Sequence, residues 1–292
     1  MILVGENINL MAPTVGEALR NRASNVIQDI ARTETAAGMD YINANTGPAR
    51  REGAAMMQWL VDTIQAATPL PLALDTTSLE SMEAGLKAYR NPRPALINSI
   101  SLARLEEELP LMTCFPAEMV GLLWGPEGMP RDVNERCLFA VDLVYRANQA
   151  GVTSERIWLD PIMTPISVPG DQIRACLEFM SMVPEIAPGC KTIIGLSNVS
   201  SGTPRPLRPY LNRTFLIMMQ RHGLYAAIVD AYDTTLRQIA RGELPEITSL
   251  VHRVMDGEDM DTATLPAEMQ KYVKTARVLL GQAVYSHAWL EA

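Results

Sequence analysis

Short polar side chains end one apolar run after another in this chain. Seven brief apolar runs finish in carboxylates or amides, with almost no lysine among them; the polar residues are Glu6, Asn7, Asn9, Asn43, Asn45, Asp75, Asn98, Asp160, Asn198 and Asp230. A carboxylate accepts hydrogen bonds, whereas an amide offers both a donor and an acceptor. This combination favours a ligand rich in N–H donors and carbonyls over a phosphate.

The elements that must position these residues follow from the alternation of patterns along the chain. Short apolar runs bounded by turn residues, alternating with longer helical patterns, predict the parallel strands of βαβ units. We predict eight strands, at 2–8, 40–44, 71–75, 94–98, 117–123, 156–160, 191–197 and 225–230. In a barrel of such units the polar side chains at the strand ends face one mouth. The predicted fold class is therefore α/β, as a (β/α)8 TIM barrel.

Helical patterns fill the intervals between the predicted strands and continue beyond the last one. They fall at about 14–37, 50–67, 78–89, 102–114, 132–150, 170–183, 206–222 and 232–241, and two more end near 256 and span about 266–290. We predict a single domain over 1–292, with a barrel core at 1–242 and additional C-terminal helices at 243–292. We expect these helices to pack on the barrel flank or on a second subunit rather than to form a catalytic lid.

Composition and charge exclude several classes of partner. A chain of 292 residues, 48% of them hydrophobic, is long enough to bury one large core. Its net charge of −8 argues against nucleic acid, which requires a basic face. No apolar stretch approaches the roughly 20 residues that span a bilayer. The first residues form a predicted strand and lack the layout of a signal peptide, so we expect a cytoplasmic protein.

The four cysteines and three histidines do not form a metal-binding pattern. The cysteines stand at 114, 137, 176 and 190 with no close pair, and the histidines are equally scattered. Zinc and iron–sulfur ligands normally include close pairs, so we expect no bound metal.

Each polar strand end also has an explanation that involves no ligand. Asp75 could cap the next helix, although Ser78 is an equally good cap, whereas Asp160 precedes Pro161 and is poorly explained as a cap. Asp75 and Asp160 could instead be the acid/base pair of a glycoside hydrolase or the ligands of Mg²⁺. An aromatic content of only 5% disfavours a sugar site. The many amides favour an uncharged heterocycle over a metal.

Several stretches resemble the methyltetrahydrofolate:corrinoid-protein methyltransferases. They are GENIN, INANTGP, LALDTT, ALINSIS, WLDPIMTP and, most specifically, GLSNVSSGTPRPLRPYLNRTFL. That family has a pterin-binding barrel related to the folate domain of cobalamin-dependent methionine synthase and to dihydropteroate synthase. The resemblance runs from about residue 1 to 240 and resumes at GQAVYSHAWL, and it implies a TIM barrel of the pterin-binding type.

The resemblance also implies roles for individual residues. It implies substrate binding by Glu6, Asp75, Asn98, Asp160, Asn198 and Arg208, with Asn198 also the catalytic hydrogen-bond donor at N5 of the folate. Two positions depart from the family's pattern, because Asn43 stands where the family commonly has aspartate and Asn7 where it usually has arginine. The insertion at about 243–268 is longer than in the acetogenic enzymes, so the preference for a partner can differ.

The implied reaction moves a methyl group between N5 of tetrahydrofolate and the cobalt of a corrinoid. Tetrahydrofolate and 5-methyltetrahydrofolate are then substrates, and the nucleophile or methyl donor is a corrinoid that we expect on a transient partner protein. The resemblance further implies a homodimer. We favour a role in accepting methyl groups from the demethylation of O- or N-methyl compounds over one in acetyl-CoA synthesis.

Three other functions compete with this interpretation. Dihydropteroate synthase needs a pyrophosphate site with a lysine at a strand end, whereas Lys191 begins its predicted strand. A non-catalytic folate-binding subunit would bind folate without turnover, and a hydrolase that uses Asp75 and Asp160 would act without folate. The position of Lys191 disfavours dihydropteroate synthase, whereas the sequence does not exclude the folate-binding subunit.

Overall fold

Eight parallel strands close into a barrel in chain order. A computed structural model describes residues 1–47, 52–168 and 170–291. The strands are β1 (Ile2–Gly5), β2 (Tyr41–Gly47), β3 (Leu72–Thr76), β4 (Ala95–Ser101), β5 (Ala117–Leu122), β6 (Ile157–Asp160), β7 (Lys191–Gly195) and β8 (Ala226–Val229). Each strand pairs with its neighbours in sequence, and β8 pairs with β1. The predicted (β/α)8 TIM barrel is confirmed.

Twelve α-helices are described around and beyond this barrel. They are α1 (Pro13–Asn21), α2 (Ser24–Ala36), α3 (Gly53–Gln65), α4 (Leu79–Ala88), α5 (Leu105–Glu108), α6 (Pro110–Cys114), α7 (Val133–Gln149), α8 (Gln172–Ile186), α9 (Arg208–Arg221), α10 (Thr234–Ala240), α11 (Pro245–Met255) and α12 (Ala267–Leu279). None of the helices in the described part of the chain is both long and apolar enough to cross a membrane.

The floor of the barrel is a layer to which every strand contributes one side chain. This layer consists of Val4, Tyr41, Ala73, Leu96, Val120, Trp158, Ile193 and Ala226, all buried. Side chains alternate between the two faces of a strand, so a residue two positions further along points into the same interior. The layer therefore fixes which later residues face the mouth.

Three predicted helices differ from those in the structure. The pattern at 14–37 forms two helices, because Arg22 adopts a left-handed conformation (φ 51°) between α1 and α2. The pattern at 102–114 is divided before Pro110, whose ring cannot continue the preceding helix without strain. The last helix ends at Leu279 rather than near 290, because Gly281 (φ 71°) follows it in a left-handed stop. Residues 50 and 51 of the predicted helix 50–67 lie outside the described residues.

The C-terminal helices lie on the flank of the barrel. Both α11 and α12 pack against α9. The segment after α12 turns back, with Trp289 buried and its indole N–H donated to Thr275 Oγ1 at 3.0 Å. Before that point, the Tyr285 hydroxyl lies 2.7 Å from Oγ1 of Thr203, in the loop that follows β7. The tail thereby supports a loop at the mouth of the barrel.

Candidate functional site

Four of the predicted site residues face the mouth because side chains alternate between the two faces of a strand. Glu6, Asp75, Asn98 and Asp160 each stand two positions after a floor residue on the same strand or its direct extension. They therefore face the interior one level above the floor. Asp75 and Asn98 are also register partners between β3 and β4, which places their side chains next to each other.

An amide network surrounds the carboxylate of Asp75. The side-chain amides of Asn43 and Asn45 donate to its Oδ2 at 2.9 and 2.7 Å. Asn98 in turn donates to Oδ1 of Asn43 at 3.4 Å, so Asn43 joins the two predicted binding residues. Burial raises the pKa of Asp75, and the two amide hydrogen bonds oppose that rise. Because both bonds reach Oδ2, Oδ1 can accept N–H donors of a ligand in the mouth.

Asp160 is held by the loop that follows it. Its Oδ1 accepts the backbone N–H of Ile162 at 2.8 Å, and Ile162 has a left-handed backbone (φ 62°) that is uncommon for a β-branched residue. The fully buried guanidinium of Arg136 on α7 donates to the carbonyls of Pro161 and Ile162, at 2.9 and 3.3 Å. Burial raises the pKa of Asp160 to about 6, and the Ile162 bond and the Arg136 charge oppose the rise.

Glu6 lies on the other side of the mouth, at the junction of β1, β7 and β8. The hydroxyl of Ser197 donates to its Oε1 at 2.5 Å. Burial raises the pKa of Glu6 to about 7; the Ser197 bond lowers it and the nearby Asp230 carboxylate raises it. Asp230 accepts from the Asn7 side chain at 2.7 Å. Glu6 is consequently a carboxyl group that can gain or lose a proton near neutral pH.

A third carboxyl group, Glu34 on α2, lies directly behind β1. It is fully buried, and its Oε1 accepts the backbone N–H of Asn7 at 2.9 Å, whereas Oε2 has no partner among the described residues. A Cβ at residue 5 would come within 2.5 Å of Oε1, so Gly5 is what leaves room for this side chain. Burial raises the pKa of Glu34 to about 8, which the Asn7 bond opposes and the charges of Glu6 and Asp230 reinforce.

A cavity of about 580 Å³ opens beside Glu6. Its wall includes Glu6, Ser197, Ser200, Ser201, Arg205, Arg208, Asn212, Arg213, Asp230, Tyr232 and Asp233. Arg213 forms a two-pronged ion pair with Asp233, with contacts of 2.7 to 3.0 Å. The Nε of Arg208 donates to the carbonyl of Thr203 at 2.6 Å, which holds the guanidinium at the wall of the cavity.

Asn198 lies in a short 3₁₀ turn directly after β7 and is exposed. A Cβ at residue 195 would lie 3.0 Å from its Nδ2, so Gly195 leaves room for the amide above the strand end. Its neighbour in the turn is Ser197, the hydrogen-bond partner of Glu6.

The predicted residues thus form two groups at one mouth. Asp75 and Asn98 are joined through Asn43, whereas Glu6 and Arg208 line the cavity on the side of β1 and β8. No hydrogen bond within the described part of the chain joins Asp160 to either group. The roles of all six predicted residues remain predictions.

Two buried ionisable residues beside the site, Arg136 and Glu34, are not among the residues predicted from the sequence. Each occupies a position in the buried stripe of its helix: Arg136 precedes Ala140 by one turn, and Glu34 follows Ala31 by about one turn. A charged residue at a core position of an amphipathic helix is the signal that would have identified them.

No group of three or more histidine, cysteine, aspartate or glutamate residues in the described ranges has a geometry that could hold a metal ion. The amides around Asp75 instead provide donors, which a cation site would not use.

A model of the family described as pterin binding enzyme matches residues 17–230 of the chain. The chain is similar to the methylcorrinoid:tetrahydrofolate methyltransferase of Eubacterium limosum, with 27% identity over 79% of this chain and 85% of that protein. It is also similar to the methionine synthase of Mycobacterium leprae (strain TN), with 27% identity over 79% of this chain but only 20% of that much longer protein.

Among solved structures the barrel is similar to dihydropteroate synthases. The enzyme from Thermus thermophilus superposes with a TM-score of 0.63 and 22% identity over 84% of this chain and 93% of that one. The enzyme from Xanthomonas albilineans with 4-aminobenzoic acid gives 0.64 and 16% over 83% and 92%. At such low identity these likenesses show the fold alone.

Proposed function

The chain belongs to the family of pterin-binding enzymes, and we propose on that premise that it is a methyltransferase acting between tetrahydrofolate N5 and corrinoid cobalt. The observation that carries the proposal is the environment of Asp75. Its Oδ2 already accepts two amides, so a single carboxylate oxygen remains directed at the mouth beside Asn98. This arrangement suits the N–H-rich edge of a pterin.

The pterin ring is bound by Asp75 and Asn98 of the first group, together with Asp160. Its 2-amino group and N3–H form a pair of adjacent donors, which carboxylates such as Asp75 and Asp160 accept in charge-assisted hydrogen bonds. The Asn98 amide offers a donor and an acceptor to the remaining ring edge. The alignment of its amide is set by Asn43, so the network around Asp75 orients the ring before any chemistry occurs.

Asn198 is the proposed donor at N5. When a methyl group leaves N5, the nitrogen would become an anion unless a proton or a strong hydrogen bond develops there. The Asn198 amide is exposed in the turn directly after β7, at the mouth where the folate is proposed to bind. An interaction that strengthens in the transition state raises the rate rather than the affinity.

We assign the corrinoid to a separate, transiently docked protein and the physiological direction to methylation of folate. The name of the E. limosum relative gives methylcorrinoid as the methyl donor and tetrahydrofolate as the acceptor. On this assignment the enzyme acts in the cytoplasm, downstream of a demethylation of O- or N-methyl compounds. The corrinoid supplies a cobalt that gives or accepts the methyl group, and this chain supplies position and electrostatics.

The proposed homodimer would use the outer face of α7. Leu138, Val141 and Tyr145 follow one another at helical spacing, and all three are exposed, with Met182 of α8 beside them. Light scattering at micromolar concentration tests this assignment. Leu138→Asp should convert a dimer into a monomer with unchanged folding, and a wild-type monomer would exclude the dimer.

The test of the reaction uses free methylcob(III)alamin and tetrahydrofolate under anaerobic conditions, with cob(I)alamin followed by its absorbance. Asn198→Ala should lower the transfer rate by about 10²–10³, as loss of one preorganised donor does, whereas the folate Kd should change little. Asn25→Ala, on the exposed surface of α2, is the matched control. Equal losses in rate and affinity would show that Asn198 only binds the substrate.

Two alternatives predict different outcomes. A non-catalytic folate-binding subunit would bind tetrahydrofolate and transfer no methyl group to or from either free or protein-bound corrinoid. A dihydropteroate-synthase-like reaction needs a lysine for pyrophosphate at the mouth. Lys191 instead lies at the opposite end of the barrel, where it donates to Glu118 at 2.9 Å. The structure therefore favours methyl transfer over that condensation.

A further inference from the structure

Methyl transfer at N5 requires a proton to arrive or depart, and no residue discussed above is assigned that task. Asn198 can donate a hydrogen bond, but an amide does not ionise at neutral pH. Asp75 accepts two fixed amide donors and Asp160 accepts the Ile162 N–H, and the free oxygens of both are committed to the pterin under the proposed function. The proton must therefore be exchanged with another group at the mouth.

We propose that Glu6 is this acid/base group and that the hydroxyl of Ser197 carries the proton between Glu6 and the folate N5. The inference rests on the proposed function and gives Glu6 a role different from simple substrate binding. It depends on the direct Ser197–Glu6 contact, on the position of both groups on one open cavity and on the adjacency of Ser197 to Asn198.

The geometry connects N5 to solvent in two short steps. Asn198, the proposed N5 partner, and Ser197 are consecutive residues of one tight turn, so the Ser197 hydroxyl is presented at the same edge of the mouth. That hydroxyl donates to Glu6 at 2.5 Å. Glu6 lines the 580 Å³ cavity, which opens outward between the loops after β7 and β8. Water in that cavity can accept or return the proton.

The proton balance is the same in both directions. When folate is methylated, the N5 lone pair forms the bond to the methyl carbon, and the cobalt–carbon bond breaks with both electrons kept by cobalt. N5 then carries a positive charge and loses its proton to the Ser197 oxygen, while the Ser197 proton passes to the Glu6 carboxylate. In the reverse direction neutral Glu6 returns a proton along the same path before the methyl group leaves.

The charged groups that face Glu6 set its ionisation near neutral pH. Asp230 approaches from the end of β8 and Glu34 from α2, and both are acidic. On the cavity side stand Arg205 of the turn before α9, Arg208 at the start of α9, the neutralised pair Arg213–Asp233, and Tyr232. Burial raises the pKa of Glu6 to about 7, Ser197 lowers it and Asp230 raises it further. A proton exchanger works best when its pKa lies near the operating pH.

The deciding experiment is the pH profile of methyl transfer measured in both directions with free methylcob(III)alamin or cob(I)alamin and folate substrate. The wild-type rate of folate methylation should rise through about pH 7 as Glu6 loses its proton, and the reverse rate should fall through the same pH. Glu6→Gln retains an oxygen that accepts from Ser197 but cannot ionise. The Glu6→Gln variant should lose both pH dependences, the rise of the forward rate and the fall of the reverse rate. Its rate at the optimum pH should be about 10²-fold lower than that of the wild type.

A second variant separates this role from a structural one. Asp230→Asn keeps an acceptor for Asn7 but removes a charge that raises the pKa of Glu6. The pH at which the transfer rate changes should therefore move to a lower value, while methyl transfer persists. Glu118→Gln, at the opposite end of the barrel, is the control and should leave the profile in place.

The outcomes distinguish the inference from the function on which it rests. Methyl transfer by the wild type, with the same pH dependence in Glu6→Gln or an unmoved pH dependence in Asp230→Asn, would overturn the role of Glu6 and leave the methyltransferase intact. Folate binding without any transfer by the wild type would overturn the proposed function and this role together.

Discussion

Replacing Glu34 with glutamine should make the protein more stable at alkaline pH. The carboxyl group is fully buried behind β1, its Oε2 has no partner among the described residues, and two further acids lie nearby. Its pKa is raised from 4.5 to about 8, first by burial and then by the charges of Glu6 and Asp230. Glutamine has the same shape and keeps an oxygen for the Asn7 N–H, but it can never carry the charge.

The magnitude follows from linkage between protonation and folding. Between the unfolded pKa of 4.5 and the folded pKa of about 8, native Glu34 holds a proton that the unfolded chain has released. The native protein thus binds more protons, and the stabilising contribution of this group declines as pH rises. Each pH unit in this window corresponds to about 1.4 kcal/mol. From about pH 5 to about pH 8 the variant should gain at most about 4 kcal/mol relative to wild type.

The assay is urea unfolding of both proteins, followed by circular dichroism at a series of pH values across this window. The informative quantity is the difference in unfolding free energy between variant and wild type, because ionisable groups that do not interact with residue 34 cancel in it. Glu17→Gln, on the exposed surface of α1, is the control and should show a flat difference. A difference for Glu34→Gln that is flat, or that falls with rising pH, would refute the assignment of a neutral buried carboxyl group.

Three further predictions concern the mouth. Asp75→Asn replaces the carboxylate that accepts two amide N–H groups with a side chain that has only one acceptor oxygen. The folate Kd measured by calorimetry should rise about 30- to 1000-fold, equivalent to about 2–4 kcal/mol. An unchanged Kd would contradict the proposed pterin contact. Asn43→Asp places a second carboxylate where 2.9 Å separates the present pair, so one proton must be shared and the folate Kd should become pH-dependent; a Kd constant from acid to neutral pH would count against it. Tyr285→Phe removes the hydrogen bond to Thr203, whose carbonyl accepts from Arg208. Loss of about 1 kcal/mol should raise the folate KM about 5-fold in steady-state kinetics. A fall in kcat alone would contradict a link from Tyr285 through Thr203 and Arg208 to folate binding.

The sequence predicted the barrel because strand patterns are local. Each strand needs only a short apolar run and a turn signal, and all eight predicted strands overlap observed ones. The mouth residues on β3, β4 and β6 were predictable for the same reason, since strand alternation fixes their direction. The boundaries within 14–37 and 266–290 were wrong because Arg22 and Gly281 adopt left-handed conformations that helical periodicity does not reveal.

The contacts that join strand ends could not be predicted in this way, because closure of the barrel creates them. Ser197 and Glu6 are 191 residues apart in the chain, and Asn7 and Asp230 are 223 apart. Their meeting depends on β8 pairing with β1, which no local pattern specifies. The family resemblance therefore predicts Glu6 as a site residue, but the sequence does not predict Ser197 as its hydrogen-bond partner.

Buried ionisable residues at helix core positions can be recognised from a local pattern, but their partners come from distant parts of the chain. Burying an ionic group is costly, so an ionisable side chain in an apolar stripe must either find a compensating partner in the fold or, as Glu34 does below about pH 8, stay neutral. Arg136 donates to two backbone carbonyls of the loop that holds Asp160, and to the Gln172 side chain at the start of α8 at 2.5 Å. Arg136→Met should therefore preserve the helix but release that loop, and it should weaken folate binding more than it weakens folding. Calorimetry beside urea unfolding measures both quantities, and a large loss of unfolding free energy with unchanged folate affinity would show that Arg136 serves the core alone.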